Sequence, residues 1–105
     1  MIQLTQESRS GWLVVSVRGR ADSETADELE SALKAALRQS TKVAADFAGV
    51  SYVSSAGLRA VLQAARAAQS LNAEFTVCSL TAPVKRVFDI SGLHHVLQIH
   101  GEPPC

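Results

Sequence analysis

Two adjacent serines, Ser54 and Ser55, stand where one apolar stretch ends and an amphipathic one begins. Upstream lie the short run Val43 to Phe47 and a second group, Val50, Tyr52 and Val53, with Ser51 set between. Downstream, Leu58, Val61, Leu62, Ala65 and Ala68 recur at helical spacing, while Arg59, Gln63 and Arg66 face the other way. The pattern reads as strand, loop, and serine in the first turn of a helix. Backbone N–H groups there lack intrahelical partners, and the macrodipole is positive. A serine at that place can cap the helix, worth about 1 kcal/mol. It can also carry a phosphate that the free donors and the dipole hold.

Other chemistries fit less well. Ser55, Asp46 and His94 or His95 can be written down as a hydrolase triad, but G-x-S-x-G is absent and nothing supplies an oxyanion hole. His94, His95 and His100 cluster late in the chain, yet neighbours on a strand point to opposite faces and no cysteine or second carboxylate completes a tetrahedral set. No metal site is expected. Neither G-x-x-x-x-G-K-[ST] nor G-x-G-x-x-G occurs, so no nucleotide cradle and no cofactor are expected. Gly57 reads instead as a site of close packing or an unhindered helix start.

The elements that must position these serines follow from periodicity. Ile2 and Leu4 mark a first strand, Ser10-Gly11 a turn, and Trp12 to Val17 a β-rich run ending at Arg18-Gly19, together an antiparallel hairpin. Asp22 to Ser40 reads as a helix with Thr25 and Glu28 as a capping box, or with Asp22 or Ser23 capping one turn earlier. Its apolar stripe is Ala26, Leu29, Leu33, Ala36 and Leu37. Lys42 to Phe47 is the next strand, followed by the serine loop and a helix to about Ser70. Glu74 to Leu80 is a further strand, and Thr81-Ala82-Pro83 opens a third helix with Pro83 near its first position. Val84, Val87, Phe88 and Ile90 are expected to face inward, Gly92 to cap the end, and His95 to Ile99 to form a last strand. The order β-β-α-β-α-β-α-β implies an α/β fold: a mixed, mostly parallel sheet with an antiparallel N-terminal strand and three main helices against it.

Composition narrows the function classes. The chain has 105 residues and 47% apolar side chains, enough for one domain with its own core. Residues 1–100 are expected to form it, with 101–105 a short tail. Ten basic and ten acidic side chains cancel, which argues against direct nucleic-acid binding and against an anionic membrane surface. No apolar run approaches the roughly 20 residues of a membrane span, and the N-terminus lacks the features of a secretion signal. Cys78 and Cys105 make no C-x-x-C, and Cys78 reads as a small buried apolar residue. The chain is expected to be cytoplasmic.

The stretch Asp46 to Leu62, DFAGVSYVSSAGLRAVL, resembles the signature of bacterial anti-sigma factor antagonists, members of the STAS domain family. In that signature an acidic residue ends a strand, an aromatic-hydrophobic step follows, and a D/S-S-x-G-L run opens a helix. Arg18 to Asp22 is similar to the family's G-x-[LA]-D lead into its first helix, and Pro83 to Leu93 to its closing P-V-x-R-x-F-x-x-[ST]-G-L segment. The resemblance implies a single STAS-type domain with no catalysis of its own. It implies that Ser55, two residues before Gly57, is phosphorylated, with Ser54 as second choice because some members carry Asp there. The dephosphorylated protein would bind an anti-sigma factor with serine kinase activity. That kinase would release itself by phosphorylating Ser55, and a PP2C-type phosphatase would restore the hydroxyl. A partner face is expected from Asp22, Ser23, Thr25, Tyr52, Ser54, Ala56, Gly57, Leu58 and Arg59, and Arg66 is a further candidate. Asp22 and Asp46 would add repulsion toward a phosphate, and the protein is expected to be a monomer. The alternative is a STAS module of a larger signalling assembly, or a nucleotide or small-molecule sensor.

Overall fold

Ser10 and Gly11 both take positive φ, 54° and 86°, the backbone of a tight primed turn. They fold β1 (Ile2–Arg9) back on β2 (Trp12–Ala21) as an antiparallel hairpin, in register from Ile2 opposite Gly19 to Arg9 opposite Trp12. The computed structural model describes residues 2–91 and 98–100. After β2 come α1 (Ala26–Gln39), β3 (Lys42–Val53), α2 (Ser55–Ser70), β4 (Glu74–Cys78), α3 (Ala82–Ser91) and β5 (Gln98–His100). The five strands lie in sequence order, and every pairing after the hairpin is parallel. The mixed, mostly parallel sheet expected from the alternation is present. The expected glycine cap at Gly92, His94, His95 and the tail 101–105 lie outside the described residues.

Strands added one after another in the same direction, each through a right-handed crossover, leave their helices on one face of the sheet. The main core agrees: Val15, Val17, Val43, Ala45, Phe47 and Val77 of the strands join Leu29 and Leu33 of α1, Val61 and Ala64 of α2, and Val84 and Phe88 of α3. Phe47 and Phe88 meet edge to face, with centroids 6.1 Å apart, tying α3 to the sheet. Val14, Ala44 and Cys78, of opposite strand parity, form a second small cluster with Trp12 beside it. Trp12 is thus a packing residue, and Cys78 is fully buried.

The structure corrects four readings. β3 does not stop at Phe47; it runs on to Val53, through the segment read as a loop. Its register against β2 shifts twice, between Ser16 and Arg18 and between Gly19 and Arg20, because β3 holds an extra residue at each step. These bulges space the buried residues Val43, Ala45, Phe47, Val50 and Val53 by two, two, three and three, so strict alternation fails there. Second, α1 begins at Ala26, and the Thr25 side chain makes no cap bond to it. Third, the buried side of α2 consists of Gly57, Ala60, Val61, Ala64 and Ala68, with Leu58, Leu62 and Ala65 only partly covered. Small residues let that helix approach the sheet. Fourth, Ile90 is 80% exposed and does not face the core.

Candidate functional site

The site is built around one carbonyl. Ala21, the last residue of β2, lies opposite Val53, the last residue of β3. Its oxygen accepts the Ser54 N–H at 2.9 Å. A Cβ on Gly57 would stand 2.3 Å from the same oxygen, so only glycine lets the first turn of α2 press against the strand end. Ser54 is the cap of that turn: its hydroxyl accepts the Gly57 N–H at 3.3 Å, and its carbonyl accepts the Leu58 N–H at 2.9 Å. The two adjacent serines therefore differ. Ser54 is half-buried and committed to the helix start, whereas Ser55 is the first helical residue and stands exposed.

The turn between β2 and α1 borders the serines from the other side of Ala21. The buried Thr25, 5% exposed, donates its hydroxyl to the Arg20 carbonyl at 2.7 Å and accepts the Asp22 N–H at 3.0 Å. Asp22 Oδ1 accepts the Glu24 N–H at 3.0 Å, and the Asp22 carbonyl accepts the N–H groups of Thr25 and Ala26. Burial pushes the Asp22 carboxyl up. The hydrogen bonds from the Glu24 N–H, the Thr25 hydroxyl and N–H, and Arg20 outweigh it and hold the carboxyl below its ordinary value. Arg20 Nε lies 3.5 Å from Asp22 Oδ2, and its guanidinium sits 4.3 Å from the centroid of Tyr52, the residue opposite it in register. Tyr52 itself is 42% exposed.

The expected site residues thus divide. Asp22, Ser23, Tyr52, Ser54, Ser55, Ala56, Leu58 and Arg59 gather at the C-terminal ends of β2 and β3, where open α/β sheets place their sites. Thr25 and Gly57 are buried there and hold the backbone in place. Arg66 is eleven residues along α2 from Ser55, about 16 Å down the axis, and takes no part in the cluster. Asp46 is also separate. It lies mid-strand, roughly 20 Å along β3 from the serines, and its Oδ1 accepts the Ala48 N–H at the first bulge. It neither repels a phosphate on Ser55 nor completes a triad with it. A shallow depression of about 450 Å³ lies beside Asp46, lined by Gln3, Thr5, Ser16 and Arg18 among others, and no residue of the serine cluster borders it. Arg20 is the site residue that sequence reasoning missed. Its contact with Tyr52 depends on a register that the bulge at Ser51 sets. No helix among the described residues is long and apolar enough to cross a membrane.

Comparison with known proteins gives the family and the fold. The family profile described as "Mlab, STAS domain" matches residues 4–99. BtrV of Bordetella bronchiseptica, named as an anti-sigma factor antagonist, is 32% identical over 99 residues, covering 93% of this chain and 85% of BtrV. The crystal structure of an anti-sigma factor antagonist from Mycobacterium paratuberculosis superposes with a TM-score of 0.83 at 25% identity, covering 98% of this chain and 88% of that one. Bacillus SpoIIAA in its phosphorylated form superposes with a TM-score of 0.69 at 21% identity, covering 97% and 93% of the two chains. This chain belongs to the STAS domain family and to the anti-sigma factor antagonists within it.

Proposed function

We propose that this protein works by partner switching controlled at Ser55. With a free hydroxyl it binds an anti-sigma factor that is also a serine kinase, and so frees the sigma factor. The kinase transfers the γ-phosphoryl group of ATP to the Ser55 oxygen, the hydroxyl proton leaves, and ADP is released. The phosphoprotein then dissociates, and a PP2C-type, metal-dependent phosphatase hydrolyses the ester. In this cycle the protein is the substrate of two enzymes and performs no catalysis.

The observation that carries the reading is the division of labour between the serines. Ser54 spends its hydroxyl on the Gly57 N–H, while Ser55 is exposed at the first position of α2. A phosphate there adds about −1.5 to −2 charges beside the helix start, where the fold tolerates it. A partner surface fitted to the neutral hydroxyl instead meets bulk and uncompensated charge. A penalty of about 4 kcal/mol lowers affinity roughly a thousandfold, enough for release. The phosphorylated form of Bacillus SpoIIAA, a protein of the same fold, supports the reading by likeness.

The test is incubation of the protein with its cognate kinase and ATP, followed by mapping of the modified residue. Phosphate is expected on Ser55, lost in Ser55→Ala and kept in Ser54→Ala. Modification of Ser54 alone would overturn the assignment of the residue. Absence of phosphate from both serines would overturn the switch.

A further inference from the structure

Arg20 is held by contacts that are easily exchanged. Its side chain is 57% exposed, and its one ionic contact among the described residues, Nε to Asp22 Oδ2, is long at 3.5 Å. Exposed ion pairs of that kind contribute little. Asp22 does not depend on it, because the Glu24 N–H already bonds its carboxylate. The other contact is the face of Tyr52, 4.3 Å from the guanidinium carbon. Arg20 therefore covers two groups on the expected partner face, an aromatic ring and a carboxylate, without being locked to either.

We propose that Arg20 couples Ser55 to the rest of that face, by leaving Tyr52 and Asp22 to pair with a phosphate on Ser55. The inference rests on Ser55 being the modified residue. Reach allows the move. From the Arg20 Cα to the Ser55 Cα, the path through the Ala21 carbonyl and its 2.9 Å bond to the Ser54 N–H is about 14 Å, and the straight line is shorter. Arg20 alternates with the core-facing Ala21 and leaves the sheet on the face away from α2, so its guanidinium must round the strand ends. An extended arginine carries its guanidinium about 7 Å from Cα and phosphoserine its oxygens about 4 Å, which with an ion-pair separation of about 3 Å equals the indirect path, the upper bound on the span. Charge decides the competition. A phosphate offers more charge than one carboxylate and three oxygens to the guanidinium fork. The exchange uncovers the Tyr52 ring and takes the neighbouring cation away from the Asp22 carboxylate. Modification thus alters the face at three places and not at the serine alone.

Arg59, exposed and one turn after Ser55 on α2, is the other cation near the phosphate. Its departure from solvent would uncover nothing, and that separates the two arginines experimentally. Phosphoserine is placed at position 55 of the full chain by genetic encoding, so the measurement does not depend on any kinase. The second phosphate pKa is read by phosphorus NMR, and the ring protons of Tyr52, the single tyrosine of the chain, report on Arg20. The phosphate pKa, ordinarily near 6, is expected to rise by about half a pH unit on Arg20→Gln. Phosphorylation is expected to shift the Tyr52 ring in the parent and in Arg59→Gln, but not in Arg20→Gln. A phosphate pKa that Arg20→Gln leaves unchanged, or a Tyr52 ring indifferent to phosphorylation, overturns the inference. If a kinase modifies Ser55 and the partner leaves while both readings stay flat, partner switching stands and the coupling through Arg20 falls. If no kinase modifies Ser55, partner switching falls, and the encoded phosphoserine still decides the chemistry of Arg20.

Discussion

Gly57 has no room for a side chain. Its Cα faces the Ala21 carbonyl so closely that one methyl group forces the start of α2 off the end of β2. Gly57→Ala is expected to cost about 1–3 kcal/mol, the range of an overpacked contact. A urea midpoint that falls at constant slope would show it; an unchanged midpoint would mean that the helix start is not seated on Ala21. Asp22 makes a second prediction at this scale. Its carboxyl lies below the ordinary value of 3.8, so its contribution is present above that value and is lost as pH falls through the lower folded-state value. Acid titration of stability should therefore show a steeper loss for the parent than for Asp22→Asn as pH falls below 3.8. Parallel curves would remove the hydrogen-bonded turn from the account. The close packing at Gly57 was legible in the sequence, but the hydrogen bonding of the serines and of Thr25 was not. Ser54 and Ser55 have the same chemistry, and only the position of the first helical residue separates cap from exposed hydroxyl. Thr25 has the residue type of a cap, yet its hydroxyl is drawn to the Arg20 carbonyl.

β3 shows where reading by element succeeds and where it stops. Helices α1 and α2 and the hairpin were legible because periods of 3.6 and 2, and a Ser-Gly turn, survive intact in the sequence. The second half of β3 was not, because two bulges replace the spacing of two by a spacing of three and imitate a loop. The extra residue of the second bulge, Ser51, turns outward and its hydroxyl bonds the Gly19 carbonyl at 3.3 Å. The bulge also fixes which residue of β2 Tyr52 faces, and hence its contact with Arg20. This gives a sharp contrast in mutational tolerance. Strict alternation from Phe47 would bury Ser51 and expose Val50; the bulged strand does the reverse. Ser51→Lys should change stability by no more than about 0.5 kcal/mol. Val50→Ser should cost about 1.5–3 kcal/mol, the loss of a buried aliphatic side chain. Equilibrium unfolding of the two variants decides it, and the opposite ranking would mean that β3 is regular.

For the whole molecule, the placement of α2 matters more than its own stability. Consecutive parallel strands put the three helices on one face, and the first turn of α2 emerges where β2 and β3 end together. Its seat is made of backbone contacts and of side chains buried in the main core, from Ala60 and Val61 to Val53. None of those contacts uses the Ser55 side chain, so charge can change at Ser55 while the frame stays as it is. Ser55→Asp tests this separation of fold from recognition. A carboxylate in the first turn of a helix is favourable by about 0.3–1 kcal/mol, so the thermal midpoint should hold or rise slightly. Binding to the anti-sigma partner should meanwhile fall by up to about a thousandfold, and more weakly if a single negative charge is a poor substitute for a phosphate. Calorimetric melting and titration of the same preparation give both numbers. A lowered midpoint would show that Ser55 takes part in the fold, and lost binding would then report unfolding instead of switching. A held midpoint with undiminished affinity would mean that the partner docks elsewhere, away from the joint ends of β2 and β3.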